Sequence, residues 1–231
     1  MYNIAVILAG GIGSRVGGAT PKQLLPLADG RSIIEHSIDA FEQAQDINEI
    51  AVVMHPEWLS EAEEMIERNG WKKVKKLFPG GSERWESSWH AVEAYRDVSH
   101  QYSEVSILLH DAARPFVSQR IIADVCQALE SHEAVTVAVP STDTVYITES
   151  NRLCAMPPRE TVWRAQTPQA FRLETIAEAF RRAMEKGNII ATDDVGIIHH
   201  YMPEIPVYIV PGEENNRKIT YAEDLKQNAQ Q

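Results

Sequence analysis

The sequence predicts an α/β fold, a mostly parallel sheet with helices on both faces. Three observations predict it. Apolar runs of strand length recur along the chain, among them Ile4-Ala5-Val6-Ile7-Leu8, Ile50-Ala51-Val52-Val53-Met54, Ser106-Ile107-Leu108-Leu109 and Val207-Tyr208-Ile209-Val210, as strands buried on both sides require. Segments with apolar residues at helical spacing separate them. The first run leads straight into Ala9-Gly10-Gly11-Ile12-Gly13-Ser14-Arg15, and open parallel sheets place ligands beyond the C-terminal ends of their strands.

That first loop reads as an anion site. Without Cβ atoms, Gly10, Gly11 and Gly13 can adopt positive φ and present bare backbone N–H groups to a ligand. Arg15 and Lys22 add fixed positive charge where a triphosphate would lie. Two better-known phosphate loops are excluded. Gln23 follows Lys22, so the Ser or Thr hydroxyl of a P-loop is missing. A dinucleotide fingerprint needs a glycine where Val16 stands, and Gly17 comes one place late.

The elements follow in order. Ser32 caps a helix whose Ile33, Ile34, Ser37, Ile38 and Phe41 share one face. After the second strand, residues 58–68 are helical with Glu61, Glu63, Glu64 and Glu67 on the wet side, and Gly70 stops them. Pro79-Gly80-Gly81-Ser82-Glu83-Arg84 enters a helix carrying Ser87, Ser88 and Val92, a helix N-terminus able to take a nucleotide base or phosphate. The strand at 106–109 delivers His110-Asp111-Ala112-Ala113-Arg114-Pro115 to the ligand edge. There Asp111 can hold a hard cation through oxygen, and Arg114 can bind phosphate or lock the loop. His110 reads as an orienting hydrogen-bond donor rather than a base.

A helix over about 118–129 precedes the strand at 134–140. Asp143-Thr144-Val145-Tyr146-Ile147-Thr148 then alternates polar and apolar, 149–152 turn, and 153–156 pair back. A hairpin inserted here must project from the sheet, and its edges invite pairing with a second copy. Gln166-Thr167-Pro168-Gln169 rejoins the body, a helix runs over about 173–186, and Gly187 ends it. Thr192 caps a further short helix opened by Asp193 and Asp194. The last strand is followed by Lys218-Ile219-Thr220, and Glu223-Asp224-Leu225 begins a closing helix.

Composition limits the partners. The 231 residues carry a formal net charge of −11, which argues against nucleic acid or an acidic membrane surface and requires a local cationic site for any anion. Cys126 and Cys154 have neither zinc-ligand spacing nor a disulfide framework, and adjacent His199 and His200 point in different directions. With no bilayer-length apolar run and no secretory-type N-terminus, the expected location is the cytoplasm.

Taken together and in order, seven motifs resemble those of the 2-C-methyl-D-erythritol 4-phosphate cytidylyltransferases over nearly the whole chain. They are the leading loop with Arg15 and Lys22, the stretch from Gly80 to Arg84, His110 to Pro115, Asp143-Thr144, Gln166 to Gln169, Thr192-Asp193-Asp194 and Lys218-Ile219-Thr220. The resemblance implies a single Rossmann-like nucleotidyltransferase domain over 1–231, similar to glycosyltransferase-A folds, with a β-arm at about 140–160 used for homodimerisation. It implies CTP as substrate, a divalent cation such as Mg²⁺ on Asp111, and attack by a polyol phosphate on the α-phosphorus. Arg15, Lys22 and Lys218 would be catalytic. Ala9, Gly10, Gly11, Gly13, Gly81, Ser82, Arg84, Ser87 and Ala112 would surround the nucleotide. Asp111, Arg114, Thr167 and Thr192 would face the acceptor, with Thr144 and Arg159 reaching from the neighbouring subunit's arm.

Two departures bear on the acceptor. Leu8-Ala9-Gly10-Gly11 replaces the usual Ala-Ala-Gly, and Tyr146 stands where the arm usually carries lysine. Both are similar to the ribitol-5-phosphate cytidylyltransferases. Ala112-Ala113, Trp163, the helix before Gly187 and Thr192-Asp193-Asp194 resemble the methylerythritol branch, which is the favoured reading. A nicotinamide-dependent oxidoreductase is the remote alternative, and a non-catalytic nucleotide binder would not need Arg15, Lys22, Asp111 and Lys218 together.

Overall fold

The computed structural model describes residues 1–11, 20–220 and 224. Strand β1 (Tyr2–Ala9) lies inside a seven-stranded sheet, flanked by β2 (Glu49–Met54) and β4 (Val105–Asp111), both parallel to it. Its continuous apolar run is explained by burial on both faces. Ala5, Ile7 and Ala9 pack under α1 (Ile33–Gln43), α2 (Leu59–Asn69) and α4 (Gln119–Ala128). Ile4, Val6 and Leu8 pack under α3 (Arg84–Ala94), α5 (Leu173–Lys186) and α6 (Asp194–Tyr201). Helices therefore cover both faces, as the pattern predicts.

The full strand order is β3-β2-β1-β4-β8-β5-β9, with β3 at Val74–Pro79, β5 at Ala134–Pro140, β8 at Trp163–Arg172 and β9 at Val207–Pro211. Only β8 runs against its neighbours, pairing antiparallel with β4 and β5. Two strands are additions to the sequence-based expectation. β3 is an edge strand without a fully buried position, and Lys75 and Lys76 hide its apolar pattern while guarding the edge. β8 contains Pro168, which argues against a central strand. The pairing of β8 with β5 is irregular between Thr136 and Ala138, and this break accommodates the proline segment.

The helix boundaries follow local chemistry. Gly70 and Gly187 adopt left-handed φ values of 63° and 71° and terminate α2 and α5. The carboxylate of Glu35 accepts from the N–H and hydroxyl of Ser32 at 2.8 and 2.7 Å, closing the start of α1. At α6 the expectation is corrected: Asp193, not Thr192, is the N-cap, its Oδ1 accepting from the Gly196 N–H at 2.8 Å. The charged carboxylate of Asp193 takes the cap in place of the hydroxyl one place earlier, and Thr192 is exposed.

The projecting hairpin forms as predicted, with β6 (Ile147–Glu149) and β7 (Arg152–Ala155) as a separate two-stranded sheet. Ser150 and Asn151 both have positive φ, the two-residue turn that suits twisted strands. Tyr146, Leu153 and Met156 are each at least 60% exposed on this arm. The predicted closing helix lies outside the described residues, apart from Asp224.

Candidate active site

The site forms where β1 and β4 end side by side, with Leu8 in register with Asp111. A third wall comes from the turn after β3, because Gly80 donates its N–H to the Met54 carbonyl at 2.7 Å. The two glycine turns touch. A Cβ on Gly10 would lie 2.9 Å from Ser87 Oγ and 3.2 Å from Gly80 Cα. Glycine is needed here for close backbone approach rather than for positive φ, which neither Gly10 nor Gly11 adopts. That corrects the reason, but not the placement. Ser87 Oγ accepts from the Gly81 N–H at 3.0 Å, and Glu86 Oε2 holds the Ser82 N–H and hydroxyl at 2.6 and 2.7 Å. The turn is thus pinned by the helix it opens.

The resulting cleft, about 270 Å³, is lined by Ala9, Gly10, Gly11, Lys22, Gly81, Ser82, Arg84, Ser87, Asp111, Ala112 and Lys218 among others. Asp111 is its electrostatic centre. Lys218 Nζ donates to Oδ2 at 2.8 Å and Arg84 Nε to Oδ1 at 3.2 Å. Burial alone would push this carboxyl up; Arg84, then Lys218 and Arg114, outweigh it and hold it well below the usual carboxylate range. Lys22 closes one side, its Nζ donating to the Ile219 carbonyl at 2.8 Å. A cationic pocket thus sits in an acidic protein, as the net charge of −11 demands of an anion binder.

His110 does what its position predicts. Fully buried, its Nε2 donates to the Arg114 carbonyl at 3.1 Å and its Nδ1 faces the Thr167 hydroxyl at 3.0 Å. Burial pulls its pKa down to about 4, so the ring is neutral at pH 7. The Thr167 hydroxyl also accepts from the Asp111 N–H at 3.2 Å. Thr167 supports Asp111 from beneath the cleft instead of lining it. Arg114 takes the loop-locking role, donating to the carbonyls of Asn216 at 2.8 Å and Ala165 at 3.3 Å.

Thr144 and Arg159 meet on the arm, where Arg159 Nη2 lies 3.4 Å from Thr144 Oγ1, and both are exposed away from the cleft lining. Thr192 is likewise outside that lining. Gly13 and Arg15 lie outside the described residues.

Three further residues of the site have roles that the sequence does not show. Gln23, almost fully buried, donates its Nε2 to the Ala9 and Gly11 carbonyls at 2.6 and 2.9 Å and so shapes the first glycine loop. Asn216, fully buried, donates to Gln166 Oε1 at 3.2 Å and the Thr167 carbonyl at 2.8 Å, tying the Lys218 loop to β8. Asp194 is the third; Arg84 Nη1 lies 2.8 Å from its Oδ2. Its carboxyl is raised by burial, against the pull of Arg84. The signal common to the three is position, each a polar residue in or next to a site motif.

Such a cleft can hold a polyphosphate, neutralise charge developing on it, and carry a cation at Asp111. Among the described residues no three His, Cys, Asp or Glu side chains cluster as a metal site. No described helix is long and apolar enough to cross a membrane.

The family model for 2-C-methyl-D-erythritol 4-phosphate cytidylyltransferase matches residues 3–230. The chain is 46% identical over 226 residues to the protein of that name from Thermobifida fusca, covering 96% of this chain and 89% of the relative. Its structure is similar to that of 4-diphosphocytidyl-2C-methyl-D-erythritol synthase from Anaerococcus prevotii, with a TM-score of 0.84, 26% identity, and coverage of 99% and 94% of the two chains. A bifunctional ribulose 5-phosphate reductase/CDP-ribitol pyrophosphorylase from Haemophilus influenzae is 34% identical over 225 residues, 96% of this chain but 46% of that protein. With a family model spanning almost all its length and a relative near half identity, the chain belongs to the 2-C-methyl-D-erythritol 4-phosphate cytidylyltransferase family.

Proposed function

We propose that this chain joins CTP to 2-C-methyl-D-erythritol 4-phosphate, forming 4-diphosphocytidyl-2-C-methyl-D-erythritol and pyrophosphate, a step of isoprenoid precursor synthesis. The observation that carries the reading is the pairing of Arg84 and Lys218 with Asp111, in a cleft that Lys22 and the glycine turns after β1 and β3 also line, in a member of this family. An acceptor phosphate oxygen forms a bond to the α-phosphorus as the bond to the β-phosphate's bridging oxygen breaks. No covalent enzyme intermediate is needed, and the cleft supplies positioning and charge.

In this mechanism Lys22 and Arg15 hold the triphosphate and Lys218 stabilises charge on the α-phosphate. Ala9, Gly10, Gly11, Gly13, Gly81, Ser82, Arg84, Ser87 and Ala112 surround the cytidine. Asp111 is ionised at the strand edge, and although its two oxygens face Lys218 and Arg84 it is the carboxylate of the cleft that would hold a Mg²⁺, a hard cation that takes oxygen ligands. Bound there, the ion would offset charge between the phosphates. Thr192 and Asp111 would contact the acceptor hydroxyls, with Arg114 and Thr167 supporting them.

The exposed arm supports a homodimer in which Thr144 and Arg159 serve the neighbouring subunit's acceptor site; their proximity and the exposed Tyr146, Leu153 and Met156 favour this. The whole chain is read as one cytoplasmic domain.

The second reading of the acceptor is ribitol 5-phosphate, and it rests on Tyr146 standing where the arm of the methylerythritol branch usually carries lysine. The test is pyrophosphate release from CTP and Mg²⁺ with each acceptor in parallel. Faster turnover with the methylerythritol phosphate is expected; faster turnover with ribitol 5-phosphate would transfer the chain to CDP-ribitol synthesis.

A further inference from the structure

We infer that Asp194 is a positioning residue of the nucleotide site, holding the Arg84 guanidinium in place against Asp111. This rests on the cytidylyltransferase reading for its activity assay, and on geometry for its content. Asp194 is completely buried, and a buried carboxylate without a charge partner is strongly destabilising. Helix capping does not account for it, since Asp193 already caps α6. Among the described residues its ion-pair partner is Arg84, the first residue of α3, with Nη1 2.8 Å from Oδ2.

The guanidinium is a rigid planar fork, so its orientation at one edge sets the other. Nη1 meets Asp194 as a buried ion pair outside hydrogen-bond alignment, while Nε donates to Asp111 Oδ1 at 3.2 Å and Lys218 takes Oδ2. Asp194 is itself fixed from outside. Gln169 on β8 is buried, and its Oε1 accepts from the N–H groups of Asp194 and Val195 at 2.9 and 3.1 Å. Gln169 Nε2 donates to Asp193 Oδ2 at 2.8 Å. Two residues earlier on the same strand, Thr167 meets the Asp111 N–H. One strand therefore registers both carboxylates that Arg84 spans. Without Asp194 the arginine has one carboxylate to align on instead of two.

The test uses the full chain and two readouts, CTP binding by calorimetry without acceptor and kcat and KM for CTP, both well below the melting midpoint of each variant. Asp194→Asn is expected to weaken CTP binding and lower kcat/KM at least tenfold, and to add less than twofold in an Arg84→Ala background. CTP binding within twofold of the parent, or an equal fold loss in both backgrounds, would overturn the inference. Should Asp194→Asn not fold, Arg84→Lys keeps a cation near Asp194 but cannot span both acids; a tenfold loss in CTP binding is expected, and parental binding overturns the inference. A parent that binds CTP yet turns over neither polyol phosphate refutes the acceptor reading alone, and the CTP-binding arm still decides the role of Asp194.

Discussion

Gly10→Ala isolates the contact between the two glycine turns. The added Cβ would sit 2.9 Å from Ser87 Oγ and 3.2 Å from Gly80 Cα, both closer than ordinary van der Waals contact. If Ser87 rotates away, the 3.0 Å bond from the Gly81 N–H is lost, about 1 kcal/mol. That rotation leaves the Gly80 contact untouched, so the turns must also separate. Overpacking of this kind costs about 1–3 kcal/mol, or roughly 2–12 °C in the melting midpoint for a chain of this size. Both turns line the cleft, and displacing a binding wall by about 1 Å can cost about a hundredfold in rate. The assay is kcat/KM for CTP alongside thermal denaturation. Gly11→Ala is the control, because a Cβ there meets nothing described within 4 Å, and its melting midpoint should match the parent. Gly10→Ala with parental stability and kcat/KM would refute close approach as the reason for glycine.

Lys22→Ala should reduce turnover at least a hundredfold while removing one hydrogen bond to Ile219, about 1 kcal/mol of stability; unchanged steady-state kinetics would remove Lys22 from the mechanism. Gln23→Ala leaves the Ala9 and Gly11 carbonyls without their donor, so a loss of about 1–3 kcal/mol and a raised KM for CTP are expected, checked by denaturant melts and CTP titration. His110, neutral in the fold with a pKa near 4, takes up its proton more readily when unfolded, near pH 6.5. Stability should therefore fall as pH drops from about 6.5 to about 4, by up to about 3 kcal/mol for this group. Melts of the parent and of His110→Asn across that window check it; an equal pH dependence in both would remove His110 as the source.

The readable parts of the fold were those whose physics is local. The β1 run, the stops at Gly70 and Gly187, and the hairpin with its Ser150-Asn151 turn each follow from neighbouring residues. The cations were readable too, since Lys22, Arg84 and Lys218 stand in motifs beyond strand ends, and the structure brings all three to one cleft. What stayed hidden is contact across the chain. Lys218 and Asp111 are 107 residues apart in sequence, and Arg84 and Asp194 are joined only by folding. Gln23 was readable as a departure from a P-loop, yet its function lies in two carbonyls it meets after the chain turns back.

The strand that the pattern obscured is also the one that organises the site. β8 is polar where a central strand should be apolar: Gln166, Thr167 and Gln169 are buried there together. Each holds a different wall. Gln166 Oε1 takes the Asn216 amide and its Nε2 donates to the Glu213 carbonyl, fixing the loop that carries Lys218. Thr167 holds Asp111 and His110, and Gln169 holds the start of α6. Gly212 leaves room for this, since a Cβ there would lie 2.4 Å from Gln166 Oε1. Buried amides cost desolvation unless every partner is met, so a purely structural strand would favour valine or isoleucine at these places. Local propensity gives way where several loops must be held in fixed relation to one another. The polar pattern of β8 and the assembled site therefore have one cause.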